Sequence, residues 1–450
     1  MHDPADPSSL RPAKRDLVSI DDFSNQEILE LFKLAHEMGR DLRAWSHLCG
    51  GFILASLFYE PSTRTRLSFE SAMGRLGGRV ISAADMSSSS ASKGESLADT
   101  VRVVGGSYAD VIILRHPCEG AAKVAAEYAA VPVVNAGDGS HEHPTQTLCD
   151  LYSLWVEKGS LEGLTVVLVG DLRYSRTVHS FAYALARFRA NLVFVPHPGL
   201  ELPSYVLERL GRRQAYEPQH VTLRDFPDVS RDADVVYCTP QKPHQLSLFT
   251  EVTELDVPSY DALYVTRPQI ERFVRDGGRA PERYLRIEPH TMAGKKFKAT
   301  SLMHPLPRTG EIAYEMDKDP RSIYFAQAAR GVHVRMALIS VLLGRSSFKS
   351  PPPERVADGD EVVGSPLSCA NPTCISSKEA HLGSRFRIDS RRPFRVRCAF
   401  CETERPVGFV GDRERRTAWR SGAPEAAVVR AEEMVLFESD EQVQRAAFAN

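Results

Sequence analysis

No stretch of this 450-residue chain is apolar for long enough to span a bilayer. Residues 1–15 are rich in Pro, Asp and Ser and lack the apolar core of a secretory signal, which argues against export. Neither sign of charge is in excess: 56 Lys and Arg against 58 Asp and Glu leave a net charge of −2. Recognition of nucleic acid or of an anionic membrane by bulk charge is thereby excluded. A phosphate-bearing ligand would need a local cluster of cations instead. Neither a G-x-G-x-x-G fingerprint nor a Walker loop is present, so no nucleotide cofactor is indicated. Disulfide spacing is missing as well: Cys49, Cys118, Cys149 and Cys238 are scattered, as expected of reduced thiols in a cytoplasmic protein.

What is present is an alternation of short apolar runs and amphipathic stretches. Phe52–Phe58, Val80–Ile81, Val111–Leu114 and Val131–Asn135 read as strands, with helices between them. The pattern returns at Leu164–Val169, Asn191–Pro196, Val235–Cys238 and Ala262–Val265. Strands alternating with helices predict an α/β chain with two Rossmann-like parallel-sheet domains. Residues 1–15 read as a disordered N-terminus, 16–150 as the first domain and 151–305 as the second. A helix over 322–345 completes the first domain. A Pro-, Ser- and acid-rich linker over 346–367 precedes a C-terminal module over 368–450. Ala423–Phe437 reads as a helix. Tyr237-Cys238-Thr239-Pro240 resembles Tyr264-Val265-Thr266-Arg267 and reads as the mark of an insertion, over about 241–260, rather than an architectural repeat.

Polar residues gather just after the strands, where open parallel sheets bind ligands. Ser62-Thr63-Arg64-Thr65-Arg66 follows one strand and opens a helix, whose unpaired N–H groups and positive dipole end suit a phosphate. Arg64 adds a two-pronged grip. On this stretch alone a plain cap at Ser62 with solvated arginines explains the pattern equally well. Arg115-His116-Pro117 and His143-Pro144-Thr145-Gln146 occupy two further strand ends, and three such clusters predict one anion pocket.

Cys369-x4-Cys374, 23 residues, then Cys398-x2-Cys401 has the spacing of a closed four-thiolate zinc site, structural because no coordination position is left open. Four unrelated free thiols are the alternative. Six arginines between Arg385 and Arg397 lie beside them, as in zinc ribbons that bind nucleic acid, although a solvated hairpin face or a protein contact is the commoner use of such a run.

The stretch Phe58–Arg66 resembles the carbamoyl-phosphate signature of carbamoyltransferases. Lys93–Thr100, Arg115–Pro117, Asn135–Gln146, Gly170–His179 and His304–Arg308 follow in the order found in the aspartate carbamoyltransferase catalytic chain, over about residues 15–345. The resemblance implies that Ser62, Thr63, Arg64 and Thr65 hold phosphate. It implies that Thr65, Arg115 and His143 polarise the carbamoyl oxygen, and that Gln146, Leu306 and Pro307 hold the carbamoyl amide. Arg176, Arg267 and Gln269, with Lys93, would bind aspartate. Ser89 and Lys93 would reach a neighbouring subunit's site, making a homotrimer or a higher homo-oligomer. Pro305 replaces the cysteine typical of ornithine carbamoyltransferases, which favours aspartate as the acceptor. The chemistry would need no cofactor and would serve an early step of pyrimidine biosynthesis. A non-catalytic scaffold subunit, or a transferase with another amino-acid acceptor, are the alternatives. Cys369–Ser376 resembles the zinc domain of the regulatory chain of the same enzyme, without that chain's nucleotide-binding domain. Other enzymes of the pathway are candidate partners; membrane and nucleic acid are not.

Overall fold

The computed structural model describes residues 14–83, 94–214, 219–239, 259–267, 286–354 and 359–449. The first apolar run forms β1 (Ile53–Phe58). Its side chains alternate between two cores, Leu54 and Phe58 to one and Ala55 and Leu57 to the other, so the strand is apolar throughout. It pairs in parallel with β2 (Arg79–Ala83) and β3 (Val111–His116), and β3 pairs with β4 (Val133–Asp138). The helices of this unit are α1 (Asn25–Arg40), α2 (Thr63–Arg75), α3 (Leu97–Val103) and α4 (Ala121–Tyr128). A Ser24–Glu27 capping box starts α1.

Helix α5 (Pro144–Lys158) leads into a second parallel sheet. Its strands are β5 (Thr165–Gly170), β6 (Asn191–Pro196), β7 (Gln219–His220), β8 (Val235–Cys238), β9 (Ala262–Val265) and β10 (Ser301–Met303). Among the described residues they lie in the order β10-β9-β8-β5-β6-β7. Helices α6 (Arg176–Arg187) and α7 (Ser204–Gln214) cover one face, and α8 (Tyr324–Leu342) returns to pack on α1, α2 and α5. The expected α/β class with two parallel-sheet units is what the chain forms. The short strands β7 and β10 had no apolar run long enough to announce them.

The likeness between residues 237–240 and 264–267 has a structural basis. Strands β8 and β9 are neighbours, Tyr237 pairs with Tyr264 in register, and their rings stack with centroids 4.3 Å apart. The same side chain serves at the same level of two adjacent strands. Most of 241–260 lies outside the described residues.

Three readings of the ends need correction. Lys14 and Arg15, within the stretch expected to be disordered, are held. Arg15 grips the buried Glu27 carboxylate with two hydrogen bonds of 2.6 and 2.7 Å, and Lys14 donates to main-chain carbonyls of α4 and the residue after it. The linker is shorter than its composition implied. Phe348 packs edge-on against Phe23, Ser350 hydrogen-bonds Glu30, and Glu361–Val363 is a strand, β11. Burial of Val362 and the Glu361–Arg385 ion pair outweigh the local polar composition. Residues 423–437 are not a helix: two 3-10 turns lead into β17 (Met434–Phe437). That strand is wholly buried and pairs with β15 (Phe409–Asp412), so tertiary packing overrides an Ala- and Glu-rich stretch.

The C-terminal module is antiparallel. β11 pairs with β12 (Arg385–Arg391), then β13 (Phe394–Cys398) and β14 (Glu404–Arg405); β16 (Thr417–Arg420) and β17 flank β15. It docks on the first unit with a shared core, in which Ala121, Val124 and Ala125 of α4 meet Cys374, Leu382 and Phe400. Main-chain bonds join Glu119 to Thr373 and Ile375 at 3.0 Å each, and Lys123 Nζ donates to the Ala399 carbonyl at 2.6 Å. Gly120 makes the approach possible. Its φ is +81, and a Cβ there would stand 2.7 Å from the Phe400 carbonyl carbon. Gly120→Ala should therefore lower the unfolding free energy by about 2 kcal/mol in urea titrations; unchanged stability would count against this packing.

Candidate active site

The two parallel sheets turn the ends of their strands toward one cavity of about 640 Å³. After β1, Ser62 stands at the N-cap of α2, yet its hydroxyl makes no capping bond, unlike those of Ser24 and Ser96. Ser62, Thr63, Arg64 and Thr65 all line the cavity, as do Arg115 at the end of β3, His143 at the N-cap of α5, and Gln146. The second unit adds Arg176 at the start of α6, Thr266 and Arg267 after β9, and Leu306 and Pro307 after β10. Ser89, Lys93 and Gln269 lie outside the described residues.

Charge distinguishes this cavity from the rest of the chain. Among the described residues, Arg64, Arg115, Arg176, Arg267 and Arg335 line it, with Glu60 as the one carboxylate. Glu60 Oε1 accepts from Arg115 Nη2 at 2.8 Å and stands 3.6 Å from Arg176 Nη2, linking the two units. Arg176 Nη1 donates to the Gly139 carbonyl at 2.7 Å, and Arg115 Nη1 to that of Ala136 at 3.2 Å. Gly137 (φ +114) makes room: a Cβ there would stand 3.0 Å from the Arg176 guanidinium carbon and 3.2 Å from Arg115 Nη1. Burial, reinforced by Arg176, pushes Arg115 down to about 10. Arg115 Nε and Thr266 Oγ1 are buried without a hydrogen-bond partner among the described residues. The arrangement calls for an anion with several acceptor oxygens.

His143 is buried, and burial together with Arg176, Arg115 and Arg335 holds it well below the usual imidazole range. It is neutral near pH 7. Its main-chain N–H donates to Ser180 Oγ at 3.1 Å, and Thr145 Oγ1 stands 3.3 Å from Nδ1. Gln146 Nε2 donates to Asp150 at 2.8 Å, which turns its amide so that Oε1 is the atom left to accept. Asp150 also accepts from Gln327 at 2.8 Å and Tyr264 at 3.0 Å. Gln327 Oε1 in turn accepts the His304 N–H at 3.0 Å. His304 Nδ1 accepts from the Leu306 N–H at 2.7 Å and its Nε2 lies 2.7 Å from Glu311. These contacts set the path of the Leu306–Pro307 segment, where Leu306 takes φ +50.

In the C-terminal module the sulfurs of Cys369, Cys374, Cys398 and Cys401 all lie within 4.8 Å of one another. Cys369–Cys401 and Cys374–Cys398 are 3.6 and 3.7 Å apart. Four sulfurs at about 2.3 Å from a tetrahedral zinc stand about 3.8 Å apart, so the set fits that ion. Three of the arginines beside it are closely paired within the chain. Arg385 pairs with Glu127 and Glu361, Arg391 with Asp360, and Arg397 with Asp389, at 2.6 to 2.8 Å. Arg385 thereby ties the module to α4, whereas Arg392 and Arg395 are exposed.

Two models of the family described as aspartate/ornithine carbamoyltransferase match the chain: its carbamoyl-phosphate-binding domain over residues 15–156 and its aspartate/ornithine-binding domain over 239–342. The aspartate carbamoyltransferase catalytic subunits of Clostridium botulinum and Clostridium perfringens are 45% identical over 336 and 333 residues, spanning 73% of this chain and 98% of each relative. The chain belongs to the aspartate/ornithine carbamoyltransferase family.

Solved carbamoyltransferases agree in fold. The M. jannaschii aspartate transcarbamoylase catalytic subunit is 42% identical with a TM-score of 0.58, covering 73% of this chain and 98% of that one. The Trypanosoma cruzi enzyme in complex with carbamoyl phosphate is 35% identical with a TM-score of 0.60, covering 72% and 95%. Residues 360–406 match the metal-binding domain of the aspartate carbamoyltransferase regulatory chain, so this carbamoyltransferase carries in one chain a module named for another.

Sequence reasoning assigned no role to Glu60, Asp150, Gln327 or Arg335. Arg335 is 5% exposed, donates to the Gly331 carbonyl at 2.9 Å, and lies over the Phe69 ring. Its signal was a lone arginine inside the apolar run Val334–Ile339, since such a charge is rarely buried without a task.

Two outcomes are expected. Metal analysis should find about one zinc per chain, and Cys398→Ser should remove it and lower the thermal midpoint; full zinc content in that variant would refute the four-thiolate site. Burial raises Asp150 from 3.8 to about 7. The stability from its neutral carboxyl is complete below pH 3.8 and is lost as pH rises through about 7. Asp150→Asn should therefore flatten the decline in unfolding free energy between pH 4 and 8; an unaltered decline would exclude this carboxyl as its source.

Proposed function

We propose that the protein transfers the carbamoyl group of carbamoyl phosphate to the amine of L-aspartate, giving N-carbamoyl-L-aspartate and phosphate. The observation that carries this reading is the single cavity in which Arg64, Thr65, Arg115 and His143 of one unit face Arg176 and Arg267 of the other. Such a site suits two anions held side by side. The T. cruzi enzyme has also been solved in complex with carbamoyl phosphate and aspartate together. The first unit would bind carbamoyl phosphate and the second aspartate.

In this mechanism Ser62, Thr63, Arg64 and Thr65 hold the phosphate. The deprotonated aspartate amine attacks the carbamoyl carbon, a C–N bond forms, and the C–O bond to phosphate breaks. Negative charge gathers first on the carbamoyl oxygen, where Thr65, Arg115 and His143 donate. The neutral state of His143 suits a hydrogen-bond donor that keeps its proton, with Thr145 donating to Nδ1 and the ring proton on Nε2. Gln146 Oε1 and the main chain at Leu306 and Pro307 hold the carbamoyl amide. The leaving phosphate takes the amine proton, so no protein base is needed. One preorganised donor of this kind lowers a barrier by about 3 kcal/mol.

Arg176, Arg267 and Gln269 would hold the aspartate carboxylates. Ser89 and Lys93 would come from a neighbouring subunit, so the working form would be a trimer or a larger homo-oligomer. The reaction would be an early, cytoplasmic step of pyrimidine biosynthesis, with other enzymes of that pathway as candidate partners. No described helix is long and apolar enough to cross a membrane. Zinc would serve the module's fold and not the chemistry.

Purified protein should form carbamoyl aspartate and should not turn over ornithine. Arg64→Ala should lower kcat by about 10²–10³-fold with an unchanged thermal midpoint. No turnover by the wild type at saturating substrates would favour a scaffold role. Wild-type rates in Arg64→Ala would overturn the site assignment.

A further inference from the structure

Glu402 directly follows the last of the four cysteines. Its backbone takes φ +63, which glycine adopts freely and a glutamate adopts only at a cost. The side chain is nonetheless 14% exposed and aimed away from the module, into the junction of the two transferase units. There Arg209 of α7, in the second unit, gathers acceptors from the first unit and from the C-terminal module. It donates to Asp21 at 2.6 Å, to Glu142 at 2.8 Å and to Glu402 at 3.4 Å, with its guanidinium 3.9 Å from the Tyr183 ring centroid.

Glu142 is the residue before His143. Its other carboxylate oxygen accepts from Ser180 Oγ at 3.1 Å, and the same Ser180 oxygen accepts the His143 N–H at 3.1 Å. On its other side, Glu402 Oε2 stands 3.6 Å from His141 Nε2, and His141 Nδ1 stands 3.2 Å from Asp138. The loop from Asp138 to Glu142 delivers His143 to the cavity. It is thus braced from within by Asp138 and from outside by Glu402, directly and through Arg209.

We propose that Glu402 is a positioning residue for carbamoyl transfer: from its place on the cysteine module it fixes, through Arg209 and Glu142, the main chain that orients His143. The proposal rests on the reading of His143 as a donor to the carbamoyl oxygen. It accounts for a glutamate at a left-handed position where glycine would relax the turn. The module is then part of the active site's support and not an appendage.

Glu402→Gly separates the two roles, because it relieves the backbone while removing the brace. In the full-length protein it should keep about one zinc per chain and a thermal midpoint no lower than wild type, while kcat falls about tenfold with little change in KM. Wild-type kcat with zinc retained would overturn the proposal, and so would a loss of activity that comes with loss of zinc. Glu402→Gln keeps an acceptor for Arg209 and should hold kcat within about threefold of wild type; no rescue would exclude the route through Arg209. In a His143→Ala background Glu402→Gly should cost nothing more, whereas a further loss of about tenfold would show that Glu402 acts elsewhere. Wild-type kcat in His143→Ala alone would sink the reading of the site itself.

Discussion

Among the described residues, five guanidinium groups share the wall of one cavity with a single carboxylate, and the surrounding structure is arranged to tolerate that crowding. Like charges about 4 Å apart near a protein surface repel by about 4 kcal/mol at an effective dielectric near 20. The chain counters this with fixed acceptors. Glu60 lies between Arg115 and Arg176, and main-chain carbonyls of Ala136, Gly139 and Gly331 each take one N–H. Donors still unmet, such as Arg115 Nε, are those a bound anion would satisfy. The site is therefore organised around a charge that the ligand supplies.

Placing those groups is the work of the two sheets. Parallel strands end on the same rim, so residues from β1, β3 and β4 meet although up to about eighty positions separate them in the chain. The second sheet offers its own rim to the same space, and Glu60 with Arg176 spans the gap. Behind the rim a second polar layer fixes orientation: Asp150 aligns Gln146, and His304 steers Leu306. The C-terminal module is joined to this framework by merging its core with that of α4 and by reaching Arg209 with Glu402.

Much of this could be read from residue order. Continuous apolar runs announced the buried strands, and hydroxyl, arginine and histidine clusters after them announced the anion pocket, because both depend on local composition. The four-cysteine spacing was equally plain. Less visible were elements whose partners are distant. β11 is stable only beside β12, β17 only beside β15, and the tyrosines at 237 and 264 gain their meaning from being neighbours in register. Arg385, in a run that reads as basic, is paired with Glu127 from far away in the chain.

By itself, then, the order of residues determined which segments are strands buried on both sides, which polar groups follow them, and which thiolates can share an ion. The first two depend on neighbours within a few positions, and the last on two close cysteine pairs 23 residues apart. Tertiary structure alone decided the protonation of His143, the pairing of Glu60 with two arginines and the joining of Glu402 to the loop before His143. Those are matters of distance and burial between groups far apart in the chain, and no local pattern encodes them.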